Sequence, residues 1–236
     1  MIYVGLDDTD TFDTPGTNKL ARHLADRLQP DFSCRMILRH QLLEDPRVPC
    51  TRKNGCATIL LEPHAGNGDA GKLASALPPV IRAWCPAGSD PGLCIAQQVT
   101  DEIIDWGRRC QRELLTQAEA RQLAASQGVL LQGLGGSQDG VIGALAAIGL
   151  GATANDGRVV YLGDNDSDRL DTTGILSTDE ICRRGIDEVR DANSQASITA
   201  GVVAVRKRLR PNLRGGQVVL YVTPTGAGRY EDVRVT

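Results

Sequence analysis

The sequence predicts an α/β (α+β) protein in which helices cover a mixed β-sheet. Short runs of β-forming residues, the first at 2–6, alternate with longer segments in which leucine and alanine recur at helical spacing. A glycine-rich loop at 133–140 leads into a helix of small residues, which suits close packing on a sheet. With 236 residues, 41% of them hydrophobic, the chain can bury a substantial core as one large domain or two small ones.

The first hundred residues predict four strands and two helices. Thr17 is suited to cap the first helix, along which leucines recur every four residues. Strands are expected at 2–6, 34–42, 56–62 and 93–96, with a second helix at 69–84 that Pro78 and Pro79 interrupt. The resulting β-α-β-β-α-β order is the split βαβ pattern of ferredoxin-like units.

The remaining chain predicts further helices and a β-rich end. Residues 99–127 read as two helices, the second beginning at a capping box formed by Thr116 and Glu119. A strand at 129–131 precedes the glycine-rich loop and the small-residue helix at 140–150. Beyond these, we expect strands at 159–162, 202–205, 218–222 and 233–235, and a helix at 178–190.

Composition narrows the function classes. A net charge of −3 argues against a protein that coats nucleic acid through bulk electrostatics, and an aromatic fraction of 3% offers few stacking platforms for single strands. None of the seven cysteines forms a Cys-x-x-Cys pair, so zinc-ribbon spacing is absent. With neither a signal peptide nor a long apolar run, we expect a reduced, cytoplasmic protein without a membrane partner.

The acidic loop after the first strand is the main candidate site. Asp7, Asp8 and Asp10 place three carboxylates within four positions, where like charges repel unless a cation lies among them. One or two carboxylates, completed by water and phosphate oxygens, are the usual ligands of Mg²⁺. The alternative is a solvated, Asp-rich turn.

Two further segments are candidate phosphate-binding sites. One is a basic loop before the third strand, formed by Arg47, Arg52, Lys53, Asn54 and Gly55. The other is the glycine-rich loop, with Gly133, Gly135 and Gly136, whose backbone N–H groups precede a helix N-terminus. A solvated connection and a plain turn are the respective alternatives.

Two charged segments in the C-terminal part have simpler interpretations. Asp164, Asp166, Asp168 and Asp171 imitate the first half of a calcium loop, but Arg169 occupies the position of the required glycine, so we interpret them as a solvated turn. The basic run at 206–214 is interpreted as a solvated hairpin end or as a docking site for an anionic substrate.

Four motifs in order resemble the archaeal tRNA-isoleucine agmatidine synthetases (TiaS). Residues 5–10 read Gly-Leu-Asp-Asp-Thr-Asp, and residues 49–55 are similar to that family's Pro-x-Lys-Thr-Arg-Gly-Asn-Gly segment. Asp90-Pro91-Gly92 is similar to its Asn-Pro-Gly-type turn, and residues 140–149 to its Gly-Leu-Ile-Gly-Ala-Leu-Ala-Ala-Ile-Gly segment. The resemblance covers roughly residues 1–150 and does not include a zinc ribbon.

The resemblance implies a kinase-like module that binds Mg²⁺ and ATP. Asp7, Asp8 and Asp10 match the family's metal-binding motif, and Asp7, Asp8 and Thr17 become the catalytic candidates, because Thr17 matches a threonine that members phosphorylate on themselves. The nucleotide-binding candidates are Arg52, Lys53, Asn54, Gly55, Gly133, Gly135 and Gly136. We expect residues 1–150 to form this nucleotide-binding region, and residues 151–236 to complete the same domain or form a small second one.

The resulting hypothesis is a Mg-ATP-dependent phosphoryl-transfer protein, a kinase-like transferase or ligase, acting on an unidentified acceptor that is a small molecule or an RNA. Two alternatives remain open: a non-catalytic nucleotide-binding regulatory module, and an RNA-binding subunit of a tRNA-modifying complex. A homodimer is one of the alternatives for its assembly.

Overall fold

The computed structural model describes residues 1–51, 53–65, 69–163 and 169–235. In these ranges, helices α1 to α6 are Thr17–Leu28, Ala70–Trp84, Asp101–Cys110, Gln117–Ser126, Gly140–Ala152 and Thr178–Arg183. Strands β1 to β12 are Ile2–Asp7, Phe32–Arg39, Ala57–Pro63, Gly92–Ala96, Leu130–Gly133, Arg158–Leu162, Gly174–Ser177, Glu188–Asp191, Val202–Val205, Asn212–Arg214, Gln217–Gly226 and Arg229–Asp232. The mixed α/β class is confirmed.

The first four strands and two helices form the predicted ferredoxin-like unit. Their order in the sheet is β4-β1-β3-β2, and each neighbouring pair is antiparallel. Alternate residues of β1 point to opposite faces, as the period of a strand requires. Ile2, Val4 and Leu6 therefore join the core under α1 and α2, while Tyr3 packs against the core of α3 and α5.

The same sheet continues on both sides of this unit. β5 pairs with β4 at one side, and β6 pairs with β2 at the other, so that the strands from Arg158 onward extend the sheet in the order β6-β10-β11-β12-β9-β7. β8 pairs with β11 in parallel, and these C-terminal strands enclose a third apolar core. The division of the chain near residue 150 stays a prediction.

Helices α1 and α2 differ from the prediction in detail. Thr17 does not cap α1 but is its first residue; Gly16 holds the N-cap position and no side chain caps the helix. Pro78 and Pro79 do not interrupt α2, which runs through both. Buried leucines before Pro78 and the fully buried Ile81 after Pro79 anchor the helix on the sheet, so packing offsets the backbone hydrogen bonds that the prolines forgo.

Two predicted C-terminal elements were wrong. The helix expected at 178–190 ends at Arg183, because Gly185 adopts a φ of 88° and the chain then forms β8 beside β11. The strand expected at 233–235 lies earlier, as β12, where it pairs with β11 and β9. Across the described ranges, no helix is both long enough and apolar enough to cross a membrane.

Candidate functional site

The acidic loop leaves the sheet at the C-terminal end of β1. Because β3 and β4 pair with β1 on its two sides, the position of Asp7 is fixed by the sheet. Asp8 turns the chain with a φ of 51°, a left-handed conformation that aspartate tolerates better than most residues. Its carbonyl oxygen accepts a hydrogen bond from the Asp90 backbone N–H at 3.1 Å, which ties the loop to the turn before β4.

A cleft of about 260 Å³ opens beside this loop. Its acidic wall carries the carboxylates of Asp7, Asp8, Asp10 and Asp139, and Glu113 also lines the cleft. The chain between β2 and β3 contributes the cations of Arg47 and Lys53. The apolar lining residues include Leu42, Val48, Leu114, Leu115 and Ile142. Carboxylates and cations therefore line one partly apolar cleft, as in a site for a ligand with cationic and anionic parts.

Asp7 is the most perturbed carboxyl of the cleft. Its side chain lies against the first turn of α5, where a Cβ built on Gly143 would come within 1.9 Å of Asp7 Oδ2. Burial, reinforced by the neighbouring charge of Asp8, raises the pKa of Asp7 to about 8. Without a bound cation, this carboxyl therefore holds a proton near neutral pH.

Asp8 is perturbed by its neighbours as well as by burial. Burial and the charges of Asp90, Asp10 and Asp139 raise the pKa of Asp8 to about 6. Asp90 and Asp139 were not among the predicted site residues. Asp90 stands in the turn quoted for the resemblance, and Asp139 closes the glycine-rich loop, but only the fold brings both toward residue 8.

Thr17 lies at the inner end of the cleft and is almost fully buried. Its hydroxyl accepts a hydrogen bond from Thr9 Oγ1 at 3.0 Å and donates one to Asp10 Oδ1 at 3.4 Å. The other oxygen of Asp10 accepts from Thr51 Oγ1 at 3.3 Å. The structure thus brings Thr17, Asp10 and the start of the basic loop together.

The basic loop is held by its own contacts. Lys53 Nζ is 3.1 Å from Glu44 Oε1, and Asn54 Nδ2 donates to the Leu43 carbonyl at 2.8 Å. Gly55 permits a close approach, because a Cβ there would lie 2.7 Å from the His40 carbonyl oxygen. Arg52 lies outside the described residues. Lys53, Asn54 and Gly55 line the cleft, as their predicted role requires.

The glycine-rich loop is arranged differently. Gly133, Gly135 and Gly136 do not line the cleft; the loop instead wraps Asp90, whose carboxylate accepts a hydrogen bond from the Ser137 backbone N–H. A Cβ on Gly136 would overlap this carboxylate, at 1.8 Å from Asp90 Oδ1. The end of the loop does reach the cleft, through Asp139 and Gly140. The nucleotide-binding role of the three glycines stays a prediction.

A divalent cation fits the chemistry of the acidic wall. Within the described ranges, no three His, Cys, Asp or Glu side chains are grouped to hold a metal ion by themselves. Mg²⁺ does not require such a group, since one or two carboxylates, water and substrate phosphates complete its shell. Burial raises the pKa of both Asp7 and Asp8, and a cation bound beside them would favour their ionised forms.

The second acidic segment lies only partly within the described chain. Asp164, Asp166 and Asp168 fall outside the described residues. Asp171 is not simply solvated, because its carboxylate lies 3.1 Å from Arg208 Nε and 3.6 Å from Arg22 Nη1.

Comparison with known proteins gives a clear answer for the fold. No protein-family model and no curated protein matches this chain. Among solved structures, a complex of TiaS with tRNA(Ile2) and ATP matches with a TM-score of 0.55 and 24% identity, covering 63% of this chain and 36% of that one. The fold is TiaS-like.

Two further TiaS structures agree. The complex of TiaS with tRNA(Ile2), AMPCPP and agmatine gives a TM-score of 0.54 at 20% identity, covering 76% of this chain and 42% of that chain. Apo TiaS gives 0.53 at 23% identity over 63% of this chain. The chain therefore spans less than half the length of these TiaS chains, and the likeness to TiaS is one of fold.

Proposed function

We propose that this protein is a Mg-ATP-dependent phosphoryl-transfer protein, a kinase-like transferase or ligase. One observation carries the proposal. Carboxylates whose pKa values are raised line the same cleft as basic and apolar side chains. Phosphoryl transfer requires little covalent chemistry from a protein. It requires a positioned cation and positive side chains that stabilise the phosphates.

One or two of Asp7, Asp8 and Asp10 would hold the magnesium ion, with water and phosphate oxygens completing its shell, and the ion would neutralise negative charge on the nucleotide phosphates. Lys53 and Arg47 contribute positive charge from the chain between β2 and β3, the basic wall of the cleft, although their ion pairs with Glu44 and Asp45 must exchange for phosphate oxygens. The amide of Asn54, held against Leu43, keeps this wall in shape.

Thr17 is the proposed internal phosphoryl acceptor. Its hydroxyl already donates to Asp10, so this carboxylate can take the proton as the oxygen attacks the γ-phosphorus of ATP and the bond to the departing ADP breaks. Because Thr17 is the first residue of α1, a phosphate on it would lie at a helix N-terminus, where backbone N–H groups and the helix dipole favour negative charge.

The TiaS structures support the nucleotide assignment and suggest an acceptor. One is a complex with tRNA(Ile2) and ATP, and another is a complex with tRNA(Ile2), the ATP analogue AMPCPP and agmatine. Transferred to this chain as a proposal, they favour ATP as the nucleotide and an RNA as one class of acceptor. A small-molecule acceptor remains the alternative.

Thermal unfolding with ATP, measured with Mg²⁺ and with EDTA, tests the proposal. ATP at about a hundred times its dissociation constant should stabilise the protein by about 2.7 kcal/mol in Mg²⁺. Asp8→Asn, which removes a charge at nearly constant shape, should abolish this shift. Asp101→Asn, at the exposed start of α3, is the matched control and should keep it. Equal shifts in Asp8→Asn and the parent protein would remove the acidic loop from the site.

Turnover is tested separately. Incubation with Mg-ATP followed by mass spectrometry should locate a phosphate on Thr17 and none in Thr17→Val. ATP binding without any phosphate transfer or ADP release would instead support the regulatory, non-catalytic alternative.

A further inference from the structure

A second cavity, of about 240 Å³, lies on the other side of the first turns of α1. Thr17 lines the carboxylate cleft, whereas the next two residues, Asn18 and Lys19, line this cavity. Its other walls come from β6, from the segment after β9 and from the C-terminal residues. Its basic residues are Lys19, Arg22, Arg158, Arg208, Arg210 and Arg234.

Among the described residues, two carboxylates offset part of this positive charge. Asp171 pairs with both Arg22 and Arg208, and the charge of Asp232 acts on Arg210. In the described chain, the side chains of Arg158 and Arg234 take part in no ion pair or hydrogen bond. Burial, followed by repulsion from Arg39, Arg210, Arg234 and Arg208, lowers the pKa of Arg158 to about 10. Crowding of arginines without a partner costs stability, and an anionic ligand removes that cost.

One residue that lines this cavity also carries an unpartnered polar group. Within the described ranges, Asn18 Oδ1 is the buried side-chain oxygen or nitrogen that lacks a hydrogen-bond partner. A buried amide oxygen left unpaired destabilises the ligand-free protein. Since this oxygen can only accept, the group that satisfies it must be a donor, such as a hydroxyl.

We propose that this arginine cavity binds the phosphate of a sugar phosphate unit, with a sugar hydroxyl donating to Asn18. Guanidinium groups bind phosphate with two parallel hydrogen bonds, and clusters of them are the usual recognition element for it. A space of about 240 Å³ can hold a phosphate together with its sugar.

The sugar phosphate could belong to a free metabolite or to an RNA backbone, and both present the same chemistry to the cavity. The assignment does not depend on the proposed function of the carboxylate cleft. It is tested in EDTA and without ATP, so that a Mg-nucleotide complex cannot contribute to the signal.

Titration calorimetry with ribose 5-phosphate is the direct test. The parent protein should bind it, and Arg158→Gln should weaken binding about tenfold or more, as expected for loss of a charge-assisted hydrogen bond. Arg158→Lys should retain part of the affinity. The matched control is Arg206→Gln, because Arg206 belongs to the same basic run but is exposed, pairs with Glu231 and does not line the cavity. Its affinity should stay within about twofold of the parent.

A second readout shows whether Arg158→Gln still folds. Removing one of several crowded arginines should leave the ligand-free variant at least as stable as the parent in thermal unfolding, while its stabilisation by ribose 5-phosphate is lost. Failure of ribose 5-phosphate to bind, or equal binding by Arg158→Gln, would overturn the proposal.

A short single-stranded RNA distinguishes the two sources. If RNA displaces ribose 5-phosphate and Arg158→Gln reduces the salt dependence of RNA binding, the phosphate belongs to an RNA backbone. If ribose 5-phosphate binds and RNA does not displace it, the ligand is a free sugar phosphate. RNA binding that Arg206→Gln weakens and Arg158→Gln does not would place the anion on the open surface and contradict the assignment.

Discussion

Asp7 is the carboxyl of the cleft whose pKa is raised most. It ends β1 and lies against α5 at Gly143, so its carboxyl is shielded from water, and Asp8 adds a second negative charge nearby. Ionising this buried carboxyl costs free energy in the ligand-free protein. A cation bound beside it would offset that cost.

The perturbed carboxyls predict how stability depends on pH. In EDTA, the unfolded chain ionises Asp7 near its ordinary pKa of 3.8, whereas the folded protein keeps the proton until about pH 8. Stability should therefore fall as the pH rises from about 4 to about 8. At pH 8, we expect Asp7→Asn to be several kcal/mol more stable than the parent, with a flatter pH profile in scanning calorimetry. Parallel profiles would show that folding does not raise the pKa of Asp7.

His40 and Asp156 illustrate a buried polar group of the opposite kind. The Thr58 hydroxyl donates to the Ala147 carbonyl at 2.5 Å, so it must accept from His40 Nε2 at 3.0 Å. His40 Nδ1 lies 2.6 Å from Asp156 Oδ1, and this hydrogen bond holds the pKa of Asp156 below its usual value despite burial. Complete pairing makes this network a structural link between β2, β3 and α5.

At the residue scale, the sequence selected candidate residues that are close together in the chain. Asp7, Asp8 and Asp10 follow a strand, and Thr17 opens the next helix, so local patterns were sufficient to select them. Asp90 and Asp139 could not be selected in this way, because their charges reach Asp8 only after β4 and α5 have taken their places in the fold.

Among the elements, α5 determines the shape of the acidic wall. It lies directly on β1, where a Cβ on Gly5 would come within 2.0 Å of the Ala144 carbonyl oxygen. The small residues along α5 allow this approach, and the approach brings its first turn against Asp7. The sequence predicted close packing of this helix but not which strand it would meet.

Replacement of Gly5 tests this contact. Gly5→Ala should destabilise the protein by about 3 kcal/mol in urea unfolding, because the added methyl group meets backbone atoms that cannot rotate away. Gly226→Ala is the matched control in β11, where a Cβ would meet no atom within 4 Å, and should change stability by less than about 0.5 kcal/mol. Similar losses in both variants would mean that α5 does not approach β1 so closely.

The wrong element predictions share a physical origin. Pro78 and Pro79 argued for a break in α2, but the buried face of the helix overrode local preference. Residues 184–190 were predicted to continue the helix, but Gly185 ends it and the following residues pair in parallel with β11. In each case a tertiary contact outweighed the propensity of the segment.

At the scale of the whole molecule, β6 joins the two parts of the chain. It pairs with β2 on one side and with β10 on the other, so the sheet passes from the ferredoxin-like unit into the C-terminal strands without an edge between them. The sequence predicted strands in both parts but left open whether the second part completes the first.

A fragment that ends at Ala152 tests this junction. It lacks β6 and exposes the hydrogen-bonding edge of β2, including the region of the fully buried Leu38. We expect the fragment to associate in size-exclusion chromatography and light scattering, since an open edge recruits other chains. A monomeric fragment with the native circular dichroism signal would show that residues 1–152 fold independently.

The position of β1 inside the sheet also has a kinetic consequence. Strands paired on both sides and covered on both faces exchange their amide hydrogens slowly, whereas sheet ends such as β5 and β7 open at lower free energy. We therefore expect β1 to be among the slowest strands to exchange. Partial opening at the distant end, around β7, would then leave the carboxylates of the acidic loop in register.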